Sequence, residues 1–236
     1  MSKLKLTSAQ LPIYTMNLPI SGITVKYRPF LVKEEKILLV AAQSRDMNQI
    51  VNAMRNIILA CTDGLLDTKK ICTADSEYAF LQIRTKSVGE EVKPQITCSK
   101  CGEKTAIKIN LNAVKVSKIE KETLDNIVKI SDNISLVLKY PSMHDVDYNK
   151  TEIDAVFGVA KDSIESVILN DEVHQREDID EKELSDFIDN LLPDQFEKIM
   201  AYVKTTPELS YNFDYTCPKC KEKVNVEVKT ISDFFQ

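Results

Sequence analysis

The sequence contains no tryptophan, only five glycines and only two histidines among its 236 residues. Scarce glycine leaves little material for loops that cradle phosphates, and missing tryptophan leaves little for platforms on which bases stack. The sequence also lacks a His-Glu-x2-His pattern and a Gly-x-Ser-x-Gly elbow. It therefore gives no sign of an enzyme.

Long apolar runs and a strong charge of one sign are missing too. The longest apolar run, from Ile37 to Ala42, is far shorter than the roughly 18 residues that a membrane-spanning helix needs. The first residues, Met-Ser-Lys-Leu-Lys-Leu, lack the apolar stretch of a signal peptide, so we expect neither a membrane span nor export. A net charge of -5 gives no reason to expect nucleic acid or an anionic membrane as a partner.

What the sequence does contain is a duplicated cysteine motif. The segment from Ile96 to Ile109 aligns without a gap with the segment from Tyr215 to Val228, and each is Cys-x2-Cys followed by alternating apolar and polar residues. The four thiolates form the ligand set of a closed tetrahedral zinc site: Cys98, Cys101, Cys217 and Cys220. In a reducing cytosol such pairs are metal ligands rather than disulfides. Four protein ligands leave no open position for substrate, which argues against a zinc enzyme.

The residues before the first motif predict a β-hairpin followed by three helices. The hairpin strands are expected over 13–18 and 23–28. A helix starting near Lys33 carries Ile37 to Ala42, which is apolar on every face and is therefore expected to be buried. The next two helices are expected over 47–61, with Asp46 as N-cap and Gly64 as terminator, and over 74–88, with Thr73 as cap and Gly89 beyond the end.

The residues between the two motifs predict a mostly helical insertion with one hairpin. Strands over 126–130 and 134–140 surround the turn 131–133. Apolar residues spaced from Ile153 to Ile168 predict a helix that includes Ile164 and Val167. An acidic connector over 171–183 is expected next. Two helices then follow on either side of Pro193, and Pro207 ends the second.

The predicted fold class is α+β, with more helix than strand. An N-terminal hairpin and helical unit is expected over 1–89. The zinc ribbon is assembled from 90–111 and 208–236, and an α-rich insertion over 112–207 includes a hairpin near 126–140.

Other candidate site residues have plainer interpretations. Cys61 lies on the apolar stripe of its helix, and neither Cys61 nor Cys72 has a nearby base in a nucleophile motif, so we predict no catalytic role for them. His144 and His174 are expected in turns or at the surface rather than as ligands.

Four carboxylates fall on the polar side of one helix and are interpreted as a solvated face: Glu181, Glu183, Asp186 and Asp189. The terminal pair Phe234 and Phe235 is either an internal plug or an apolar hook for a partner, and we favour the plug.

A ribbon with lysines suggests nucleic acid as an alternative ligand. Six lysines lie in the two copies: Lys100, Lys104, Lys108, Lys219, Lys221 and Lys223. They alternate with Glu103, Glu222 and Glu227, and only Tyr215 offers an aromatic ring. We therefore favour a solvated surface on a structural ribbon.

Two parts of the chain resemble a known protein family. One is the stretch from Lys26 to Leu39, which includes Arg28-Pro29-Phe30. The other is the C-terminal series Thr206-Pro-Glu-Leu, Tyr215-Thr-Cys-Pro-Lys-Cys and Ser232-Asp-Phe-Phe235. Together they resemble the baseplate hub proteins of T-even-like contractile-tailed bacteriophages, over most of the chain.

The resemblance implies a late protein of phage tail morphogenesis, needed to assemble the baseplate hub as a hub subunit or as an assembly chaperone. It implies other hub or tail proteins as partners and no small-molecule substrate. It places assembly in the host cytoplasm, and the protein in the virion tail baseplate if it stays there. The only site role that it carries over is metal binding by the four cysteines. The alternative is a zinc-ribbon nucleic-acid-binding protein of phage gene expression.

Overall fold

A computed structural model describes residues 11–44, 46–117, 125–145 and 151–228. The helices run over Val32–Ser44 (α1), Met47–Cys61 (α2), Thr73–Val88 (α3), Glu152–Asp162 (α4), Glu181–Asp189 (α5) and Pro193–Val203 (α6). The strands run over Tyr14–Asn17 (β1), Thr24–Tyr27 (β2), Glu91–Val92 (β3), Gln95–Thr97 (β4), Lys104–Ala106 (β5), Ile109–Asn110 (β6), Lys115–Val116 (β7), Ile127–Lys129 (β8), Ile134–Leu138 (β9), Ile164–Leu169 (β10), Glu172–Gln175 (β11), Leu209–Thr216 (β12) and Lys223–Val228 (β13). Helices combined with small antiparallel sheets confirm the predicted α+β class.

The N-terminal hairpin and the three following helices lie where the sequence predicts them. β1 and β2 pair antiparallel, and Asp46 caps α2 by accepting hydrogen bonds from the backbone N–H groups of Asn48 and Gln49. One detail differs, because Cys72 occupies the cap position of α3 and Thr73 is its first residue. The Thr73 hydroxyl instead donates to the carbonyl oxygen of Pro141 at 3.1 Å, which draws it away from the helix end.

The predicted burial of α1 is wrong. Ile37, Leu39 and Val40 are 50%, 58% and 58% exposed, whereas Ala41 is buried. The physical reason is that, among the described residues, α2 is the main neighbour of α1, so that a helix apolar all round has one face buried and the opposite face exposed.

A buried ion pair anchors the start of α1. Arg28 donates to Glu34 at 3.0 Å, and the other carboxylate oxygen of Glu34 accepts the backbone N–H of Leu31 at 2.6 Å. The backbone N–H of Arg28 also donates to the carbonyl oxygen of Cys61 at 2.9 Å, at the end of α2. The start of α1 is thus tied to both β2 and α2.

The insertion contains a four-stranded antiparallel sheet rather than a single hairpin. The predicted hairpin is present as β8 and β9, and the full strand order is β11-β10-β9-β8. The predicted helix through Ile168 is wrong after Asp162, because α4 ends there and 164–169 form β10. The run Ile-Glu-Ser-Val-Ile-Leu is rich in β-branched residues, and its pairing with β9 outweighs the helical spacing.

The predicted acidic connector over 171–183 is also wrong. Its first residues form β11, which pairs with β10 through a tight turn at Asn170 and Asp171. Both turn residues have positive φ angles, of 50° and 65°, which short polar residues tolerate. A 3-10 turn over 176–178 follows, and Asp180 then caps α5.

Two hydrophobic clusters form the interior. The first joins the N-terminal hairpin and helices to the strands next to the cysteine motifs, and includes Phe80, Ile109, Leu209 and Val228. The second is drawn from residues 128–203 and packs the four-stranded sheet against α4, α5 and α6. In the described ranges, no helix combines the length and apolarity needed to cross a bilayer.

Candidate metal centre

Each cysteine motif forms a turn at the end of a two-stranded hairpin. β4 and β5 carry the first motif, and β12 and β13 carry the second. In the first turn the backbone N–H of Cys98 donates to the carbonyl oxygen of Glu103 at 2.8 Å, and in the second that of Cys217 donates to Glu222 at 2.8 Å. The sequence duplication is therefore a structural duplication, down to matching hydrogen bonds.

The two turns bring the four thiols together. The Sγ atoms of Cys98, Cys101, Cys217 and Cys220 all lie within 4.8 Å of one another. Two contacts cross between the motifs, Cys98 to Cys220 at 3.8 Å and Cys101 to Cys217 at 3.6 Å. A tetrahedral ion with metal–sulfur bonds of about 2.3 Å places its sulfurs roughly 3.8 Å apart. This cluster can therefore hold a metal ion.

The electrostatics of the cluster favour a cation. The backbone N–H of Cys220 lowers the pKa of the Cys217 thiol to about 7, against the effect of burial, and the N–H of Lys219 adds to the lowering. The backbone N–H of Glu103 also acts to lower the pKa of Cys101, but burial and the other three thiols raise it to about 12. The Cys217 thiolate thus forms near neutral pH, and a bound cation would favour ionisation of Cys101 as well.

Reciprocal ion pairs join the two motifs. Lys100 of the first motif lies 2.5 Å from Glu222 of the second, and Lys219 of the second lies 3.4 Å from Glu103 of the first. Because Lys100 aligns with Lys219 and Glu103 with Glu222, the two contacts are related by the duplication. Exposed pairs of this kind contribute about 0–1 kcal/mol each, but they engage two of the lysines that a nucleic-acid ligand would need.

The base of the ribbon belongs to the first hydrophobic cluster. Val92 and Ile109 from one side of the insertion and Leu209 and Val228 from the other are all buried in it. β12 also pairs with β7 at Leu209. The cysteine cluster therefore closes the end of a structure whose other end is already packed against the N-terminal helices.

The two turns differ at one residue with an unusual backbone. Gly102 has a φ of 72°, and Lys221, which aligns with Gly102 in the second motif, has a φ of 59°. The N–H groups of both donate back to the first cysteine of their turn, Gly102 to Cys98 at 2.9 Å and Lys221 to Cys217 at 3.0 Å. Both turns thus need left-handed backbone, which glycine adopts without steric strain.

This difference makes a testable prediction. Gly102→Ala should lower the free energy of unfolding by about 1 kcal/mol, because a Cβ is strained at this φ. Lys221→Gly should leave it unchanged or raise it by up to about 1 kcal/mol. Chemical denaturation of the metal-loaded proteins checks both, with Lys223→Gly in β13 as the control that should destabilise. If Lys221→Gly and Lys223→Gly lowered the free energy of unfolding equally, the left-handed backbone at Lys221 would not be a source of strain.

A loop of the insertion makes a second contact with the N-terminal helices, and sequence reasoning missed it. Arg55 on α2 donates to the carbonyl oxygen of Met143 at 2.5 Å and lies 3.2 Å from Nδ1 of His144. Nε2 of His144 lies 2.9 Å from the Thr68 hydroxyl. Met143 is buried in the first hydrophobic cluster. His144 lies in a turn as expected, but it contributes to the contact between two parts of the chain.

His144 should make this contact sensitive to pH. Burial lowers the pKa of His144, and the nearby charges of Arg55 and Lys69 lower it further. Its contribution to stability is therefore fully present above the ordinary histidine pKa of about 6.5 and is lost as pH falls towards the lower folded-state pKa. Between about pH 7.5 and pH 5.5, the wild-type free energy of unfolding should therefore fall by more than that of His144→Gln.

Comparing variants removes the pH dependence that the thiols add to every protein in the series. His174→Gln is the matched control, since His174 lines an apolar cavity between the sheet and α5 instead. If the free energies of unfolding of wild type and His144→Gln changed equally with pH, protonation of His144 would not weaken this contact and the prediction would be wrong.

The remaining candidate residues are not assembled into a site in the described part of the chain. Burial raises the pKa of Cys61 and of Cys72 to about 11, so each thiol is protonated and a poor nucleophile near neutral pH. The four carboxylates of α5 are all exposed, and Glu181 pairs with Arg176 and Lys161. The terminal Phe234 and Phe235 lie outside the described residues.

The fold and the cluster define a class: an α+β protein in which two duplicated cysteine turns, 116 residues apart, meet in a four-thiol site beneath an insertion. The chain belongs to the family of T4 bacteriophage base plate proteins, whose family model matches residues 11–236. This match confirms the resemblance to T4-like baseplate proteins seen in the sequence. No curated protein and no solved structure matches the chain significantly.

Proposed function

We propose that this protein is a non-enzymatic assembly protein of the phage tail, needed to build the baseplate hub as a hub subunit or as an assembly chaperone. The family match over residues 11–236 is the observation that carries the proposal. Its partners are other hub or tail proteins. It acts in the host cytoplasm during assembly, and in the tail baseplate of the virion if it is retained there.

The proposal includes one structural Zn²⁺ held by Cys98, Cys101, Cys217 and Cys220. Sulfur atoms within 4.8 Å of one another and a set of four soft thiolate ligands suit zinc. The metal would join segments 90–111 and 208–236 and so hold the insertion, 112–207, in one pose against the N-terminal unit, 1–89. A fixed pose is what an assembly protein needs to present several surfaces to its partners at once.

Deleting the gene from the phage tests the function. Infection should yield particles without complete tails, and wild-type protein supplied from a plasmid should restore them. Normal infectious tails without the protein would contradict the proposal. Capture of the tagged protein from infected cells, compared with the composition of purified virions, separates a retained subunit from a chaperone that leaves.

Nucleic-acid binding in phage gene expression is the alternative function. It requires salt-dependent affinity for DNA or RNA that is lost on changing Lys219 and Lys221. The pairing of Lys219 with Glu103 supports assembly over this alternative, because that lysine already has a partner. Tight binding to DNA or RNA at low salt, lost in the lysine variants, would favour the alternative.

A further inference from the structure

Two helices expose apolar faces that the rest of the described chain covers only in part. The first, the α1 face, consists of residues on the side of α1 away from α2: Val32, Lys33, Lys36, Ile37, Leu39 and Val40. The second, the α4 face, lies on the first turns of α4: Glu152, Ile153, Asp154, Val156 and Phe157. Every one of these residues is exposed.

The α1 face is unusual for a surface helix. Val32 is 80% exposed, and Ile37, Leu39 and Val40 lie on the same side of the helix within three turns. A helix that is apolar on every side is normally buried on every side, yet within the described residues α1 packs mainly against α2, on one side. The exposed side therefore has the character of an interface that a partner covers.

The charges on the α1 face have one sign. Lys33 and Lys36 are exposed on it, whereas Glu34 is buried against Arg28 and Glu35 is half-buried. Lys33 also lies 3.6 Å from Glu34, but its side chain stays 72% exposed. A partner of this face should therefore combine apolar side chains with carboxylates.

The α4 face has that composition. Ile153 is 70% exposed, and Val156 and Phe157, each 41% exposed, lie one turn further along the same side. Phe157 also stacks on Phe196, with ring centroids 4.7 Å apart. Glu152 and the exposed Asp154, which accepts from the Thr151 hydroxyl, flank the apolar residues. Within one molecule the two faces do not cover each other, since the residues of both are exposed. They can meet only between two molecules.

We propose that the α1 face of one copy of this protein binds the α4 face of a second copy, with Lys33 and Lys36 opposite Glu152 and Asp154. The contact joins two different surfaces, so each bound copy still offers one free face of each kind. Such head-to-tail contacts produce closed rings or open chains. One helix pair buries less surface than a permanent dimer needs, so the association should depend on concentration.

Charge reversal on each face tests the contact. Sedimentation of the wild-type protein should show oligomers that grow with concentration and that weaken between about 0.1 M and 1 M salt, where screening shortens from about 10 Å to about 3 Å. The variant with Lys33→Glu and Lys36→Glu and the variant with Glu152→Lys and Asp154→Lys should each associate at least about tenfold more weakly. Lys93→Glu with Lys204→Glu makes the same change in net charge on exposed lysines elsewhere and should associate like wild type.

Mixing the two charge-reversed variants gives the sharpest result. The acidic α1 face of the first matches the basic α4 face of the second, and the unchanged faces also match each other. An equimolar mixture should therefore recover association that neither variant shows alone. If the α4 substitutions disturb the helix, Ile153→Ser, at a position already exposed, provides a milder loss of association.

Three outcomes would overturn the proposal. The first is a wild-type protein that stays monomeric at all concentrations. The second is an oligomer that neither reversal weakens. The third is an α1 face that binds a different tail protein while the chain remains monomeric, which would assign the face to a heterologous partner. None of these outcomes depends on whether the cysteine cluster holds zinc.

Discussion

Cys217→Ser is expected to abolish stoichiometric zinc binding and to lower the free energy of unfolding by several kcal/mol, up to about 10 kcal/mol. The metal contributes its binding energy to folding because the unfolded chain has no preformed site. Here the two halves of the site lie 116 residues apart in sequence between Cys101 and Cys217, so the metal also closes a very long loop. Serine keeps the size of the side chain but lacks the thiolate that zinc prefers.

Zinc content of the purified protein and chelator-dependent thermal unfolding measure these effects. Cys61→Ser is the matched control, because Cys61 is a buried cysteine outside the cluster. It should retain zinc even if it unfolds somewhat more easily. A Cys217→Ser protein that is metal-free and as stable as the zinc-loaded wild type would contradict a structural role for the metal. A metal-free variant that still supports tail assembly would show that the metal is not required for the proposed function.

Sequence reasoning located the cluster because the signal is local and repeated. Each Cys-x2-Cys turn specifies its own geometry, through hydrogen bonds that close within six residues of Cys98 or Cys217. The similar flanks then indicate that the two turns belong together, whatever lies between them. No knowledge of the intervening chain was needed, which is why this long-range contact could be predicted.

The errors have the opposite origin. Ile164 to Leu169 is compatible with helical spacing, and only β9 as a partner makes it a strand. The exposed side of α1 cannot be predicted from its composition. Apolar residues on every face predict that the helix is buried, but they do not show whether this chain or another molecule covers each face. The His144 contact could not be predicted from the sequence either. Arg55 and Thr68 become neighbours of His144 only when the insertion loop packs against the N-terminal unit.

The structure also adds a buried charge pair that sequence reasoning did not single out. Arg28 and Glu34 lie six residues apart across the start of α1, with side chains 14% and 6% exposed. Burial by itself would raise the pKa of Glu34, but the hydrogen bonds from Arg28 and from the backbone N–H of Leu31 lower it below its ordinary value. The ionised pair is thus the favoured state, although burial opposes both charges.

Glu34→Ala should lower the free energy of unfolding by about 3–5 kcal/mol, because it leaves the Arg28 charge buried without its carboxylate. Glu35→Ala, at a half-buried neighbouring position, is the control and should cost less than about 1 kcal/mol. Urea denaturation measures both. Because the folded-state pKa of Glu34 is depressed, the stability it provides is present above the ordinary glutamate pKa of about 4.3 and is lost as pH falls through the folded value.

Replacing both charges separates the cost of a broken pair from the value of the pair itself. If the pair mainly balances its own desolvation, Arg28→Met combined with Glu34→Leu should recover most of the stability that Glu34→Ala loses. An equally unstable double variant would instead mean that the hydrogen bonds from the Leu31 N–H to Glu34 and from Arg28 to the Pro29 carbonyl oxygen hold the start of α1 in place. In that case Glu34→Ala should also weaken self-association, because the α1 face can bind a second copy only while α1 stays packed on α2.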